Sequence, residues 1–111
     1  MWIINADERA ERPFTFRILP GAIKTIGRAP RADFIVDAAL VSRVHCRLAA
    51  GAADLEVVDL ESTNGTFVNG TRVERALLRS GDTLGIGKVE FVVSQAKATE
   101  GTTNEELRTK N

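Results

Sequence analysis

A chain of 111 residues suits one compact domain and leaves little room for a second. Apolar residues are 43% of it, enough to fill a core, which excludes a chain disordered throughout. Lys and Arg total 15 and Asp and Glu total 15, so the formal net charge is zero; this argues against a general binder of nucleic acid and leaves room for one local basic pocket.

The apolar pattern is short and punctuated. Met1 to Ala6 is apolar for a few residues before charges arrive, too short for the apolar region of a signal peptide. Phe14, Phe16 and Ile18 alternate with Thr15 and Arg17 until Pro20-Gly21 interrupts. Ala22 to Ile26 follows and ends at Gly27, and Phe34 to Val36 is a brief apolar run. His45 to Ala50 alternates loosely and stops at Gly51; Leu55 and Val57 then alternate with Asp54, Glu56 and the more ambiguous Val58. Thr83 to Ile86 and Val89 to Val93 form a last pair around Gly87-Lys88. Period-two runs broken by turn residues about every 8 to 12 positions predict an all-β sandwich or barrel. A helix is not supported between residues 13 and 94, where Gly, Pro or β-branched clusters break every helical period. Gly85 and Gly87, inside the late strands, point to a bulge or a close backbone approach. There is no internal repeat.

From Ser94 onward the composition changes. Leu107 is the lone large aliphatic side chain, and such a segment buries too little surface to offset its ordering entropy. A short helix capped by Asn104 is marginal in isolation. The expected division is a folded domain over 1–95 and a flexible polar tail or linker over 96–111. No run approaches the ~20 apolar residues of a membrane helix. One cysteine, Cys46, allows no intrachain disulfide and fits a reducing, cytoplasmic compartment. Asn64 and Asn69 each begin an N-x-T sequon, which without export stays unmodified.

Three polar clusters stand where strands meet loops: Gly27-Arg28, the stretch S-R-V-H at 42–45, and D-L-E-S-T-N-G-T-F-V-N-G at 59–70. The last holds two Asn-Gly pairs, a strong turn signal. If these strand ends gather at one edge, Arg28, Ser42, Arg43, Thr63 and Asn64 converge. Arginine forks, hydroxyls and a side-chain amide together cradle a small, dianionic, oxygen-rich group, and a protein phosphate is the simplest candidate. The Ser-x-x-His spacing also admits a serine nucleophile, Ser42, with His45 as base and Asp59 as orienter. No G-x-S-x-G elbow surrounds Ser42, however, and His45 fits a loop brace better. It is the chain's single histidine, with no cysteine or second histidine at ligand spacing, so neither a metal nor a cofactor is expected. Cys46, Trp2 and the phenylalanines are expected in the core.

Taken in order, I-G-R at 26–28, S-R-V-H at 42–45, the 59–70 stretch and the late L-x-x-G-D-x-L from Leu78 to Leu84 resemble the forkhead-associated (FHA) domain over about residues 1 to 95. The resemblance implies a β-sandwich of about eleven strands in two sheets whose loops at one end bind phosphothreonine peptides. It implies that Arg28 pairs with the phosphate, that Ser42 donates its hydroxyl to it, and that Arg43 adds a further contact. Thr63 would touch the phosphate or the threonine, Asn64 the peptide backbone, and Asn69 would brace its loop or touch the peptide. Gly27, His45, Gly65 and Gly70 would be architectural. The implied function is a non-catalytic adaptor under a Ser/Thr kinase, with no nucleic-acid or membrane partner. A partner bound independently of phosphate, through another face, is the alternative.

Two further expectations concern the loops. In the family the segment before the serine helps read the third residue after the phosphothreonine; here it is D-A-A-L-V, residues 37–41, which favours an apolar residue there over an acidic one. Thr99, Thr102, Thr103 and Thr109 in the tail, if phosphorylated, would let the domain bind its own tail or a neighbour's.

Overall fold

Residues 1–6 and 14–96 are described by the computed structural model. They form eleven strands: β1 (Trp2–Ala6), β2 (Thr15–Ile18), β3 (Ile23–Gly27), β4 (Phe34–Ile35), β5 (Cys46–Ala50), β6 (Leu55–Asp59), β7 (Thr66–Val68), β8 (Thr71–Val73), β9 (Arg75–Leu78), β10 (Thr83–Ile86) and β11 (Val89–Gln95). One sheet runs β2-β1-β11-β10-β7-β8 and the other β4-β3-β5-β6-β9. Every pairing is antiparallel except β3 with β4, where Ile26 and Gly27 lie beside Phe34 and Ile35. No helix among the described residues is long and apolar enough to cross a membrane.

Alternation decides which side chains meet between the sheets. Trp2, Ile4 and Ala6 of β1 point inward with Leu84 and Ile86 of β10 and Phe91 and Val93 of β11. The facing layer comes from Ile26, Cys46, Leu48, Leu55, Val57 and Leu78. Trp2 also donates its indole N–H to Gly51 O at 2.9 Å, which satisfies its polar atom at the sandwich end. The edge strands β2 and β4, from different sheets, are joined by stacked Phe16 and Phe34 rings with centroids 4.5 Å apart.

The seven runs with clear alternation or brief apolar character correspond to β2, β3, β4, β5, β6, β10 and β11. Four strands lack that signature. β1 reads as a mere apolar start, because its outward residues Ile3 and Asn5 do not alternate cleanly with the inward ones. β8 and β9 are edge strands, with Thr71, Arg72 and the apolar Leu77 exposed, and β7 is too short to display a period.

The two Asn-Gly pairs do different work. Asn69 and Gly70 have φ of 51° and 84° and close the β7–β8 hairpin, as a two-residue turn with both central residues left-handed requires. In the other pair Gly65 alone is left-handed, with φ 92°, and it ends an open loop between β6 and β7. Gly87 (φ 58°) opens the β10–β11 turn, and a Cβ there would sit 2.9 Å from Ala39 O. That turn therefore packs against the 37–41 loop. Gly85 leaves ordinary contact to Phe67, with no bulge in the register.

A candidate phosphate-binding end of the sandwich

The loops β3–β4, β4–β5 and β6–β7 and the β10–β11 turn all lie at one end, and backbone bonds stitch the first two together. Arg28 N–H donates to Ser42 O at 2.9 Å, Ala29 N–H to Arg43 O at 3.1 Å, and His45 N–H to Ile26 O at 2.8 Å. This approach requires Gly27: a Cβ on it would fall 2.0 Å from Arg43 O.

The third loop is tied in by side chains. His45 is fully buried; its Nδ1 accepts Ser42 N–H at 3.0 Å, so its Nε2 carries the proton and donates to Gly65 O at 2.8 Å. Ser42 Oγ accepts Thr63 N–H at 3.0 Å, which leaves the hydroxyl proton free to point elsewhere. Asn64 Nδ2 donates to Leu40 O at 3.1 Å and holds Leu40 in a left-handed conformation, φ 71°. Arg28 is exposed, and its Nε donates to Val41 O at 3.0 Å. That bond orients the guanidinium, while its terminal amino groups meet no carboxylate among the described residues. Arg28, Ser42, Thr63 and Asn64 are thus brought together. Arg43 is exposed on the same loop and is placed through its carbonyl.

Asn69 is not part of this cluster. It lies at the other end of β7 from Gly65, where Oδ1 accepts Thr83 N–H at 2.9 Å and Nδ2 donates to Asp82 at 3.1 Å. Gly70 shares that turn and faces open space. Both belong to the hairpin turn, and these bonds are the loop bracing that was one of the two roles expected of Asn69. Asn69→Ala is expected to cost about 1–2 kcal/mol through these lost bonds and the left-handed φ, while phosphopeptide affinity stays unchanged. Thermal unfolding and peptide titration of the same variant check both halves.

A Ser42–His45 nucleophile pair is incompatible with these bonds, because both ring nitrogens are taken by backbone groups and Ser42 Oγ faces Thr63 N. Asp59 has another task. It accepts Ser62 Oγ at 2.5 Å and Thr66 Oγ1 at 2.7 Å, and Ser62 Oγ in turn accepts Gly65 N–H at 3.0 Å. Burial alone would raise the Asp59 carboxyl, but the bonds from Ser62 and Thr66, with His45 nearby, outweigh it and hold it below the usual carboxylate range. Burial, with Asp59 adding to it, pushes the Cys46 thiol up to about 12, so it is no nucleophile.

A carboxyl lowered on folding stabilises the fold above its unfolded value, about pH 4, and that contribution is lost as pH falls through the lower folded value. Asp33 and Asp82 are also lowered, chiefly by bonds from Thr25 and from Arg79 N–H respectively. Stability should therefore fall as the medium is taken from neutral to below about pH 4. Asp59→Asn should reduce stability at neutral pH and flatten part of this slope in urea unfolding.

The close backbone approach expected at Gly87 is made against the 37–41 loop. Sequence reasoning overlooked two features of this end. Asp59 organises the third loop through Ser62 and Thr66, and the Asp-x-x-Ser spacing of a side-chain-capped turn was the available signal. Arg72 of β8 lies beside Gly65, where an added Cβ would be 2.7 Å from its Nε. Only the β7–β8 register brings it there.

The loops thus bring an arginine fork, a hydroxyl and an amide together at a single end of a β-sandwich. The profile of the FHA domain matches residues 24–87, and the chain belongs to that family. It is similar to an ABC transporter ATP-binding/permease protein of Mycobacterium tuberculosis, 44% identical over 70% of this chain and 9% of that protein. It is also similar to the glycogen accumulation regulator GarA of M. tuberculosis, 40% identical over 68% of this chain and 46% of GarA. The chain therefore spans less than half the length of both. Among solved structures it resembles M. tuberculosis EmbR in complex with a low-affinity phosphopeptide: TM-score 0.73, 27% identity, covering 90% of this chain and 26% of EmbR. The tail threonines and the Asn104 helix lie outside the described residues.

Proposed function

We propose that this domain binds a phosphothreonine-containing protein segment at the cradle formed by Arg28, Ser42, Arg43, Thr63 and Asn64, and acts by binding alone. The observation that carries this is the Arg28 fork, oriented by Val41 O with no carboxylate of the described residues on its terminal amino groups, on a loop bonded to that of Ser42. A phosphothreonine brings roughly −1.5 to −2 charges and three strong acceptor oxygens. Charge-assisted bonds contribute about 1.5–3 kcal/mol each. Several of them, less the cost of ordering the peptide, leave micromolar affinity, about −8 kcal/mol. Asn64 retains its carbonyl and one N–H for the peptide backbone after bonding Leu40 O.

The partner is a protein modified by a Ser/Thr kinase, and we assign the encounter to the cytoplasm, where such kinases and a reduced Cys46 coexist. Leu40, 46% exposed at the rim and tethered to Asn64, supports an apolar residue at the third position after the phosphothreonine. Calorimetric titration with matched Thr, phosphoserine and phosphothreonine peptides tests the function. Binding of the phosphothreonine peptide alone is the expected result; equal binding of all three would make the domain a phosphate-independent docking module.

A further inference from the structure

Arg72 stands apart from the other surface arginines because the fold makes a seat for it. It lies opposite Phe67 in the β7–β8 register, and its side chain reaches Gly65. A Cβ on Gly65 would fall 2.7 Å from Arg72 Nε, 3.1 Å from Cζ and 3.3 Å from Cδ, so the guanidinium occupies the space that the bare glycine leaves. Gly65 follows Asn64 directly, and its carbonyl is fixed by His45. The inner edge of the guanidinium is thus positioned beside the wall of the cradle, with the rest of the side chain open to solvent. Arg72 is exposed, and no carboxylate of the described residues lies within ion-pair distance of it; the ion pair they form is Arg75 with Glu56.

We propose that Arg72 is a specificity-determining residue of the phosphopeptide site, pairing with an acidic side chain of the bound segment where that segment passes Asn64. The proposal rests on the phosphothreonine function above and deepens it. It leaves the apolar preference at Leu40 intact, because Leu40 lies on the β4–β5 loop and Arg72 on β8, so that they meet different peptide positions. Carboxylate recognition suits a planar fork with two free terminal amino groups. A solvent-exposed pair of this kind contributes modestly, so a three- to fivefold gain in affinity is the expected scale.

The test is a set of phosphothreonine peptides with neutral flanks, in which one Glu replaces one Gln at each flanking position in turn, titrated into the full chain and into Arg72→Gln. In the natural chain Glu should tighten binding three- to fivefold at one position or two adjacent ones. Arg72→Gln should erase that gain while binding the all-Gln phosphopeptide as the natural chain does, and Arg72→Glu should prefer Lys at the same position. An equal gain from Glu in the natural chain and in Arg72→Gln, or no gain at any position, overturns the proposal and leaves the phosphothreonine function standing. Failure of the all-Gln phosphopeptide to bind a folded natural chain overturns both.

Discussion

Gly27→Ala is expected to be among the most destabilising single substitutions in the domain, lowering its melting temperature by well over 10 °C. The cause is space, since Gly27 is not among the left-handed residues. A methyl group there would lie 2.0 Å from Arg43 O, 2.7 Å from Arg43 C and 2.9 Å from Val44 Cα, all of them backbone atoms with no rotamer to give way. Relief requires the 42–45 segment to move off β3. That breaks the bonds from Arg28 N–H to Ser42 O, Ala29 N–H to Arg43 O and His45 N–H to Ile26 O, and displaces buried His45. A loss of about 3–5 kcal/mol follows, at the upper end for single substitutions. A domain of this size has roughly 5–10 kcal/mol to lose. At about 4–8 °C per kcal/mol the midpoint should fall by well over 10 °C in a circular-dichroism melt. A shift of only a few degrees would mean the two loops are not held as described.

Arg28→Ala is expected to weaken phosphothreonine-peptide binding more than tenfold while the melting temperature stays within a few degrees. The backbone N–H of residue 28 still bonds Ser42 O, so the loop keeps its main anchor. What is lost is the fork, and each charge-assisted bond to phosphate contributes about 1.5–3 kcal/mol. Arg28→Lys should recover little of the loss. An ammonium on a flexible stem cannot donate to Val41 O and to two phosphate oxygens in one fixed plane. Ser42→Ala should likewise cost tenfold or more in affinity. It should also destabilise the fold by about 1 kcal/mol, because Ser42 Oγ accepts Thr63 N–H. Calorimetry paired with thermal unfolding separates the two effects. Retention of affinity in Arg28→Ala would remove Arg28 from the phosphate.

Much of the fold was legible because burial writes itself into period two. Leu55 and Val57 alternate with Asp54 and Glu56 because one face of β6 is core and the other is not. Where strands are short or lie at a sheet edge, as β8 does, neither face is buried enough to constrain the sequence. The core positions of Phe91 and Cys46 followed from the same logic, and that of Trp2 from its residue type. Arg28, Ser42, Thr63 and Asn64 were singled out from ordered motifs and spacing, and the fold brings them together at one end.

Asn69 was grouped with Asn64 because the two Asn-Gly pairs are chemically alike. What separates them is tertiary: one pair closes a hairpin beside Asp82, and the other ends a loop pinned by Asp59, Ser62 and His45. Arg72 carried no signal at all, since its contact with Gly65 depends on a hairpin register that places residues seven apart side by side.

The central claim is that one end of the sandwich holds the phosphate, and it is tested most directly by following the backbone amides of the labelled chain by NMR during titration with a phosphothreonine peptide. Arg28, Ser42, Arg43, Thr63 and Asn64, and the Arg28 Nε–H, should shift most. Asn69, Gly70 and Asp82, at the other end of β7 and bonded to each other, should stay still. Shifts concentrated at Asn69 and Asp82, or on the outer faces of the sheets, or equal shifts with the unphosphorylated peptide, would contradict the account.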